Sequence, residues 1–196
     1  MNLIHRVYCR SRIWRAHVRA LLPWALDGIS LERSAVLELG PGPGLTTDWL
    51  VPRVASLTCV EYDEADASAL ARRHPGVVVR RGDATALPFE SGSFDAVVCF
   101  TMLHHLPSAA AQERLCAQAR VVRSNGLLLR ARTAAGVPSS RWHTSATPAP
   151  WSIRKHYRHG WKLAASVTSR PTPDGTRSGS GRMSTDDDWR PCGSTA

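Results

Sequence analysis

The chain of 196 residues lacks several features that would define a class of protein. No apolar run approaches the roughly 18 residues of a transmembrane helix, so we expect no membrane-spanning segment. The five cysteines form neither a C-x-x-C pair nor a Cys/His cluster with metal-ligand spacing, which disfavours a disulfide scaffold and a zinc module. We therefore expect no metal site, and a cytoplasmic protein in a reducing compartment.

Acidic residues are absent from the start of the chain, where none precedes Asp27 while five arginines do. Such a bias is typical of a transit peptide. The alternative is a helix packed on the surface of the domain, because apolar residues between Leu3 and Leu22 recur at mostly helical intervals and Pro23 then interrupts them. Residues 1–30 are accordingly predicted as an N-terminal helix and connector.

Acidic residues are also few near the C-terminus. Residues 1–129 hold 14 basic and 12 acidic side chains, whereas residues 130–196 hold 11 and 4, so the net charge of +9 belongs mainly to the tail. Leu, Ile, Val and Phe together occur four times in residues 130–196, which is too seldom for burial to offset chain entropy. We therefore expect residues 132–196 to form a basic, disordered tail that supplies no strands.

The middle of the chain alternates short runs rich in β-forming residues with helical runs, a pattern typical of an α/β fold with a parallel sheet and flanking helices. Asp63 and Ser108 are predicted as helix N-caps, and Asn125 with Gly126 as a turn into the last strand. In such a sheet, ligands bind beyond the carboxyl ends of the strands. The predicted strands are Ala35–Leu39, Leu57–Glu61, Val77–Arg81, Phe94–Phe100 and Leu127–Arg130, and the predicted helices are Leu45–Val51, Asp63–Arg73 and Ser108–Val122.

A glycine loop, residues 40–44, follows the first predicted strand in the run VLELGPGPG. Gly40, Gly42 and Gly44 occupy every second position, and Glu38 comes two residues before the first of them. The third glycine comes one residue too early for the G-x-G-x-x-G fingerprint, which argues against NAD. The loop is either a tight turn alone or a place where a ligand approaches the backbone, and the helix start beyond it favours a negative group such as a carboxylate.

Acidic residues follow the second and third predicted strands. Glu61 ends the second strand, 21 residues after Gly40, and an acid at that position can accept hydrogen bonds from both hydroxyls of a ribose. Taken alone, it could equally be a solvated acid. Asp83 lies just past the third strand and could accept from an exocyclic amine, while Ala84 offers its backbone N–H to an adenine ring. The three places together predict a nucleoside site.

These segments closely resemble the class I S-adenosylmethionine-dependent methyltransferases, in particular the small-molecule branch labelled methyltransferase type 11. The similarity spans about residues 34–130 and includes the run from Glu38 to Gly44, GDATALPF, TMLHHL and VVRSNGLLL. It implies a Rossmann-like methyltransferase core over residues 31–131, S-adenosyl-L-methionine as cofactor and a small-molecule methyl acceptor. The cofactor-binding residues that it implies are Glu38, Gly40, Gly42 and Gly44 for the methionine part, Glu61 for the ribose, Asp83 and Ala84 for the adenine, and Thr101 near the sulfonium.

The residues after the fourth strand are candidates for catalysis. A sulfonium methyl is already activated, so the protein mainly has to align the acceptor and exclude water. His104 and His105 could deprotonate an oxygen or nitrogen acceptor, or could pack against the rim of the cofactor site. Cys99 is expected in the core, and Tyr62 either covers the adenine or fills a surface groove. A nucleic-acid partner is not expected, because no N/D-P-P-Y/F motif follows the strand.

The resemblance ends near residue 130, although such methyltransferases usually continue with a helix and an antiparallel strand pair that completes a seven-stranded sheet. We expect those C-terminal strands to be missing. The chain has 23 arginines and two lysines, which indicates a GC-rich gene. Codons for residues 144–168 can be chosen so that a shifted reading frame encodes a strand, a turn, an amphipathic helix and a further strand, which is the pattern usual in this family. A one-base shift near residues 129–131 is therefore a hypothesis, with a genuine basic extension as its alternative. Loss of the strands would favour a non-catalytic remnant over an active methyltransferase.

Overall fold

The computed structural model describes residues 9–100, 102–133, 151–156 and 161–167. Its helices and strands alternate along most of this length, as predicted. The helices are α1 (Arg12–Ala25), α2 (Leu45–Leu50), α3 (Glu64–Arg73) and α4 (Ala109–Ala117), and three 3-10 turns cover Val51–Arg53, Leu103–His105 and Gln118–Val121. The strands are β1 (Ala35–Leu39), β2 (Ser56–Glu61), β3 (Val78–Arg81), β4 (Phe94–Phe100), β5 (Val122–Thr133), β6 (Trp151–His156) and β7 (Trp161–Val167).

The seven strands form one sheet in the order β3-β2-β1-β4-β5-β7-β6. Strands β1 to β5 are mutually parallel, and β7 runs antiparallel between β5 and β6. The strand order reverses at β1, which lies between β2 and β4. Because ligands bind at the carboxyl ends of strands beside such a reversal, the loop after Leu39 occupies the place where a ligand site is expected.

The core lies on both faces of the sheet, since successive residues of a strand point to opposite sides. Val36 belongs to the cluster beneath α1 and α2, together with Leu22 and Leu50. The next residue, Leu37, belongs to the cluster on the other face, which includes Leu115 of α4. Helices therefore cover both faces of β1 and β4, and this explains why the central strands read as apolar runs.

The predicted helix starts are confirmed. The side chain of Asp63 accepts hydrogen bonds from the N–H groups of Ala65 (3.0 Å) and Asp66 (3.1 Å), and that of Ser108 accepts from Ala111 (3.2 Å). The five predicted parallel strands are also present, with β5 longer than expected at both ends. Within the described part of the chain, none of the helices has the length and hydropathy needed to cross a membrane.

Two predictions about chain breaks are wrong. Pro23 lies inside α1 rather than ending it. The helix continues to Ala25 because the buried side chains around Pro23 pack onto the sheet, and this packing outweighs one lost backbone hydrogen bond in the last turn. Asn125 and Gly126 lie within β5, where Asn125 has a φ of 68° and the register with β4 shifts, so they form a bulge rather than a turn before the strand.

The prediction that the C-terminal strands are missing is also wrong. β7 pairs with β5 from Leu127↔Val167 to Thr133↔Trp161, and β6 pairs with β7. The average composition of residues 130–196 conceals two short runs that contain Trp, Ile and Val. In addition, the free edge of β5 offers backbone N–H and C=O groups with which a returning strand can form hydrogen bonds. The remaining parts of the predicted tail, residues 134–150, 157–160 and 168–196, lie outside the described residues. The frame-shift origin stays a hypothesis.

Candidate functional site

The glycine loop lies at the carboxyl end of β1 and leads into α2. Gly40, Gly42 and Gly44 all have positive φ, at 63°, 52° and 72°. Residues with a Cβ rarely adopt this conformation, so the backbone path itself requires glycine at these positions. The N–H of Gly44 donates to the carbonyl of Pro41 (2.9 Å), and the carbonyl of Gly44 accepts from Asp48 (2.9 Å) as the first hydrogen bond of the helix.

The three glycines differ in what surrounds them. A Cβ at Gly40 would lie 2.4 Å from Cγ of Met102, and one at Gly44 would lie 2.2 Å from Nη2 of Arg73. These two glycines allow neighbouring side chains of the protein to approach the loop. A Cβ at Gly42 would meet no described atom within 4 Å. The loop is therefore open at Gly42, and a ligand can reach its backbone there.

Glu61 connects the end of β2 to the open part of the glycine loop. Its Oε2 accepts a hydrogen bond from the N–H of Gly42 (2.8 Å), and its Oε1 accepts from the N–H of Asp63 (2.9 Å). The side chain is 7% exposed. Two backbone donors thus fix the carboxylate, and each of its oxygens keeps a lone pair for a further donor such as a hydroxyl.

Glu38 lies beneath the glycine loop and is 2% exposed. Its Oε2 accepts from Oγ1 of Thr47 in α2 (2.6 Å) and from Sγ of Cys59 in β2 (3.5 Å). Burial raises the pKa of Glu38 to about 7, although the hydrogen bonds from Thr47 and Cys59 oppose that rise. The carboxylate therefore faces α2 and β2, and its predicted contact with the methionine part stays a prediction.

Asp83 and Ala84 lie beyond the end of β3, at the same edge of the sheet as Glu61. Oδ1 of Asp83 accepts from the N–H of Thr85 (2.8 Å), while the carboxylate as a whole is exposed. Ala84 is buried in the cluster that contains Leu87. The N–H of Gly82 donates to the carbonyl of Glu61 (2.9 Å), which holds this turn beside β2. The structure thus brings together the predicted methionine, ribose and adenine positions.

The segment after β4 is described only in part. Thr101 lies outside the described residues, and so does the side chain of His104. His105 is exposed, and its backbone N–H donates to the carbonyl of Met102 (2.9 Å). The roles proposed for both histidines therefore stay predictions. Met102 was missed by sequence reasoning, although the hydrophobic TMLHHL run was a signal that this segment packs near the site.

The other residues singled out from the sequence have clearer positions. Cys99 is fully buried in β4, and burial raises the pKa of its thiol to about 12, which excludes a reactive thiolate near neutral pH. Its predicted place in the core is confirmed. Tyr62 is exposed beside Glu61. No group of metal-ligating side chains is found among the described residues.

A groove of about 590 Å³ lies at the opposite end of the sheet. Asp95, at the start of β4, accepts from the N–H of Ala35 (2.8 Å) and pairs with Arg123. The carboxylate of Asp95 therefore already joins the starts of β1 and β5. The groove is distant from the glycine loop along the strands, because the loop follows the carboxyl ends and the groove borders the amino ends.

Comparisons with known proteins agree with this geometry. A family model described as a methyltransferase domain matches residues 37–129. A Mycobacterium tuberculosis protein named Probable S-adenosylmethionine-dependent methyltransferase is 36% identical over 94 residues, which cover 48% of this chain and 34% of the relative. The ubiquinone biosynthesis O-methyltransferase of Pseudomonas aeruginosa is 34% identical over 99 residues, which cover 47% and 42%. The chain thus spans less than half the length of these relatives.

A solved structure of a Pyrococcus horikoshii protein covers a larger part of the chain. It matches with a TM-score of 0.69 and 16% sequence identity over 86% of this chain and 100% of that protein. At this identity, the match shows a common fold and nothing about chemistry. The strand order, the position of the glycine loop and the family match agree: residues 37–129 match the methyltransferase-domain family model, and the sheet has the Rossmann-like fold of class I methyltransferases.

Proposed function

We propose that this protein is an S-adenosyl-L-methionine-dependent methyltransferase that acts on a small-molecule acceptor. The observation that carries the proposal is the pairing of an open, positive-φ Gly42 with the buried carboxylate of Glu61. A partly exposed backbone beside a fixed acid is suited to a ligand with a charged amino-acid part and a ribose. The names of the relatives support S-adenosylmethionine as that ligand.

The residues at the carboxyl ends of β1, β2 and β3 would bind successive parts of the cofactor. Gly42 would allow the methionine part to approach the backbone, Glu61 would accept from the ribose hydroxyls, and Asp83 with Ala84 would bind the adenine. The cofactor supplies a methyl group that is already activated by the positive sulfur. The protein then has to hold the acceptor in line with that methyl and keep water out.

A base is needed only if the acceptor must lose a proton. His104 and His105 are the proposed candidates, because they lie just after β4 and an imidazole titrates near neutral pH. The acceptor class is proposed only as a small molecule with an oxygen or nitrogen nucleophile. Two relatives of different name, one of them a ubiquinone biosynthesis O-methyltransferase, each match about half of the chain.

The alternative, a non-catalytic remnant with weak cofactor binding, rested on an incomplete sheet. β6 and β7 continue the sheet beyond β5 and remove that reason. We also propose a cytoplasmic location, because the spacing of the five cysteines is not that of a disulfide scaffold, and we expect no nucleic-acid partner.

Calorimetric titration of the full chain with S-adenosylhomocysteine tests the proposal. We expect saturable binding at one site, and a rise in Tm in the presence of the same ligand because binding stabilises the native state. NAD serves as the negative control, since the glycine spacing argues against it. Equal responses to both ligands, or no response to S-adenosylhomocysteine at millimolar concentration, would contradict the proposed function.

A further inference from the structure

The glycine loop has a second support, which comes from the last turn of α3. Nη2 of Arg73 donates to the carbonyl of Pro43 (2.9 Å) and to the carbonyl of Gly44 (3.0 Å). The same atom lies 3.0 Å from Oδ1 of Asp48 in α2. One guanidinium group therefore joins two loop carbonyls to the first turn of the helix that follows.

The packing at Gly44 shows that this contact shapes the loop. A Cβ there would lie 2.2 Å from Nη2 of Arg73 and 2.4 Å from Cδ1 of Leu70. Both side chains belong to α3 and approach the backbone of the loop directly. The absence of a side chain at Gly44 is thus explained by α3 as well as by the positive φ of this residue.

The opposite side of the loop is held by Glu61 through the N–H of Gly42. The carbonyls of Pro43 and Gly44 are bound by Arg73, so two side chains of opposite charge hold different peptide groups of the same loop. A carboxylate binds the N–H side and a guanidinium binds the C=O side, which fixes the orientation of the peptide planes between them.

We propose that Arg73 is a positioning residue for the cofactor: it holds Pro43 and Gly44 so that the open backbone at Gly42 is presented to S-adenosylmethionine. The inference rests on the proposed function, because it assigns a purpose to the shape of the loop. Arg73 does not itself have to touch the cofactor. The side chain of Arg73 is 44% exposed, so water weakens each of its contacts. The effect on the loop comes from three contacts of one guanidinium group, with the carbonyls of Pro43 and Gly44 and with Asp48.

A structural role in α3 alone is the competing explanation, because a basic residue in the last turn stabilises any helix. Arg72 is the matched control, since it occupies the same last turn and is exposed. Arg72→Gln removes the same charge from the same turn. Asp48 also stays paired in the absence of Arg73, because Nε2 of His74 lies 2.8 Å from its Oδ1.

The test compares wild type, Arg73→Gln, Arg73→Lys and Arg72→Gln. We expect Arg73→Gln to weaken S-adenosylhomocysteine binding about tenfold in calorimetry, with Arg72→Gln within about twofold of wild type. Arg73→Lys should recover part of the loss, because an ammonium can still donate to the carbonyls but lacks the fork of the guanidinium. Equal affinities for Arg73→Gln and Arg72→Gln would overturn the proposal.

Amide hydrogen exchange in the free protein separates this inference from the proposed function. The N–H groups of Gly44 and Asp48 are both bonded within the loop and first turn, so Arg73→Gln should accelerate their exchange while Arg72→Gln does not. If wild type binds no S-adenosylhomocysteine, the proposed function fails, and the exchange rates still decide the role of Arg73. Unchanged exchange at both amides in Arg73→Gln would overturn it.

Discussion

Gly42 and Glu61 are joined across the carboxyl edge of the sheet by a hydrogen bond of 2.8 Å from the loop N–H to the buried carboxylate. The bond connects the loop after β1 to the end of the neighbouring strand β2. The carboxylate of Glu61 is therefore both a part of the loop's structure and a candidate ligand for a ribose. Changes at either residue should therefore affect the cofactor site before they affect the fold.

Glu61→Gln should weaken S-adenosylhomocysteine binding by about 1.5–3 kcal/mol, because the amide loses the charge of the acceptor and places an NH2 group against backbone donors. The measurement is calorimetric titration. Glu64→Gln is the control, since Glu64 starts α3 three residues later and its side chain is 67% exposed. A Glu61→Gln protein that binds as tightly as the control would exclude Glu61 from the site.

Gly42→Val should abolish cofactor binding, because its side chain would occupy the open space beside the loop. Gly28→Val is a matched control. Gly28 also has a positive φ, at 75°, and its Cβ would also meet no described atom within 4 Å. Both substitutions should cost about 1–2 kcal/mol of unfolding free energy through backbone strain. Only Gly42→Val should lose binding, and loss in both variants would indicate a general effect on folding.

Glu38 should make the stability of the protein depend on pH. Its pKa of about 7 in the folded state exceeds that of an exposed glutamate, so the folded state binds more protons than the unfolded state between about pH 4.5 and pH 7. The stability contribution is present below about pH 4.5 and is lost as the pH rises through about 7. Glu38→Gln cannot ionise, so this part of the pH dependence should disappear.

Urea unfolding at a series of pH values checks this. Relative to wild type, Glu38→Gln should gain up to about 3 kcal/mol of unfolding free energy between pH 5 and pH 8. A difference between the two proteins that is constant over this range would show that Glu38 does not titrate there.

Ala165→Pro should disrupt the antiparallel end of the sheet. β7 has a neighbour on each side, with Leu129↔Ala165 on β5 and Ile153↔Ala165 on β6, so a proline must remove a ladder hydrogen bond. Limited trypsin digestion should then cleave faster at Arg154 and Lys162 than in wild type. Cleavage of wild type at these sites as fast as in the variant would show that the pairing gives no protection.

Local features of the fold were predictable because a few neighbouring residues encode them. The N-cap role of Asp63 needs only its own carboxylate and two nearby N–H groups, and the strand Ala35–Leu39 needs only a buried apolar run. The place of Glu61 beside the glycine loop was also predictable, because one strand–helix–strand unit separates them and parallel strands end at a common edge.

Tertiary structure decided what depends on contacts between distant segments. Arg73 and Arg72 are alike in sequence, and only the docking of α3 against the glycine loop brings Arg73 within hydrogen-bond distance of the carbonyl of Pro43. Glu38 is buried because β1 lies at the centre of the sheet, between neighbouring strands on both sides. The strands β6 and β7 have weak local signals, and it is the open edge of β5 that supplies their backbone partners.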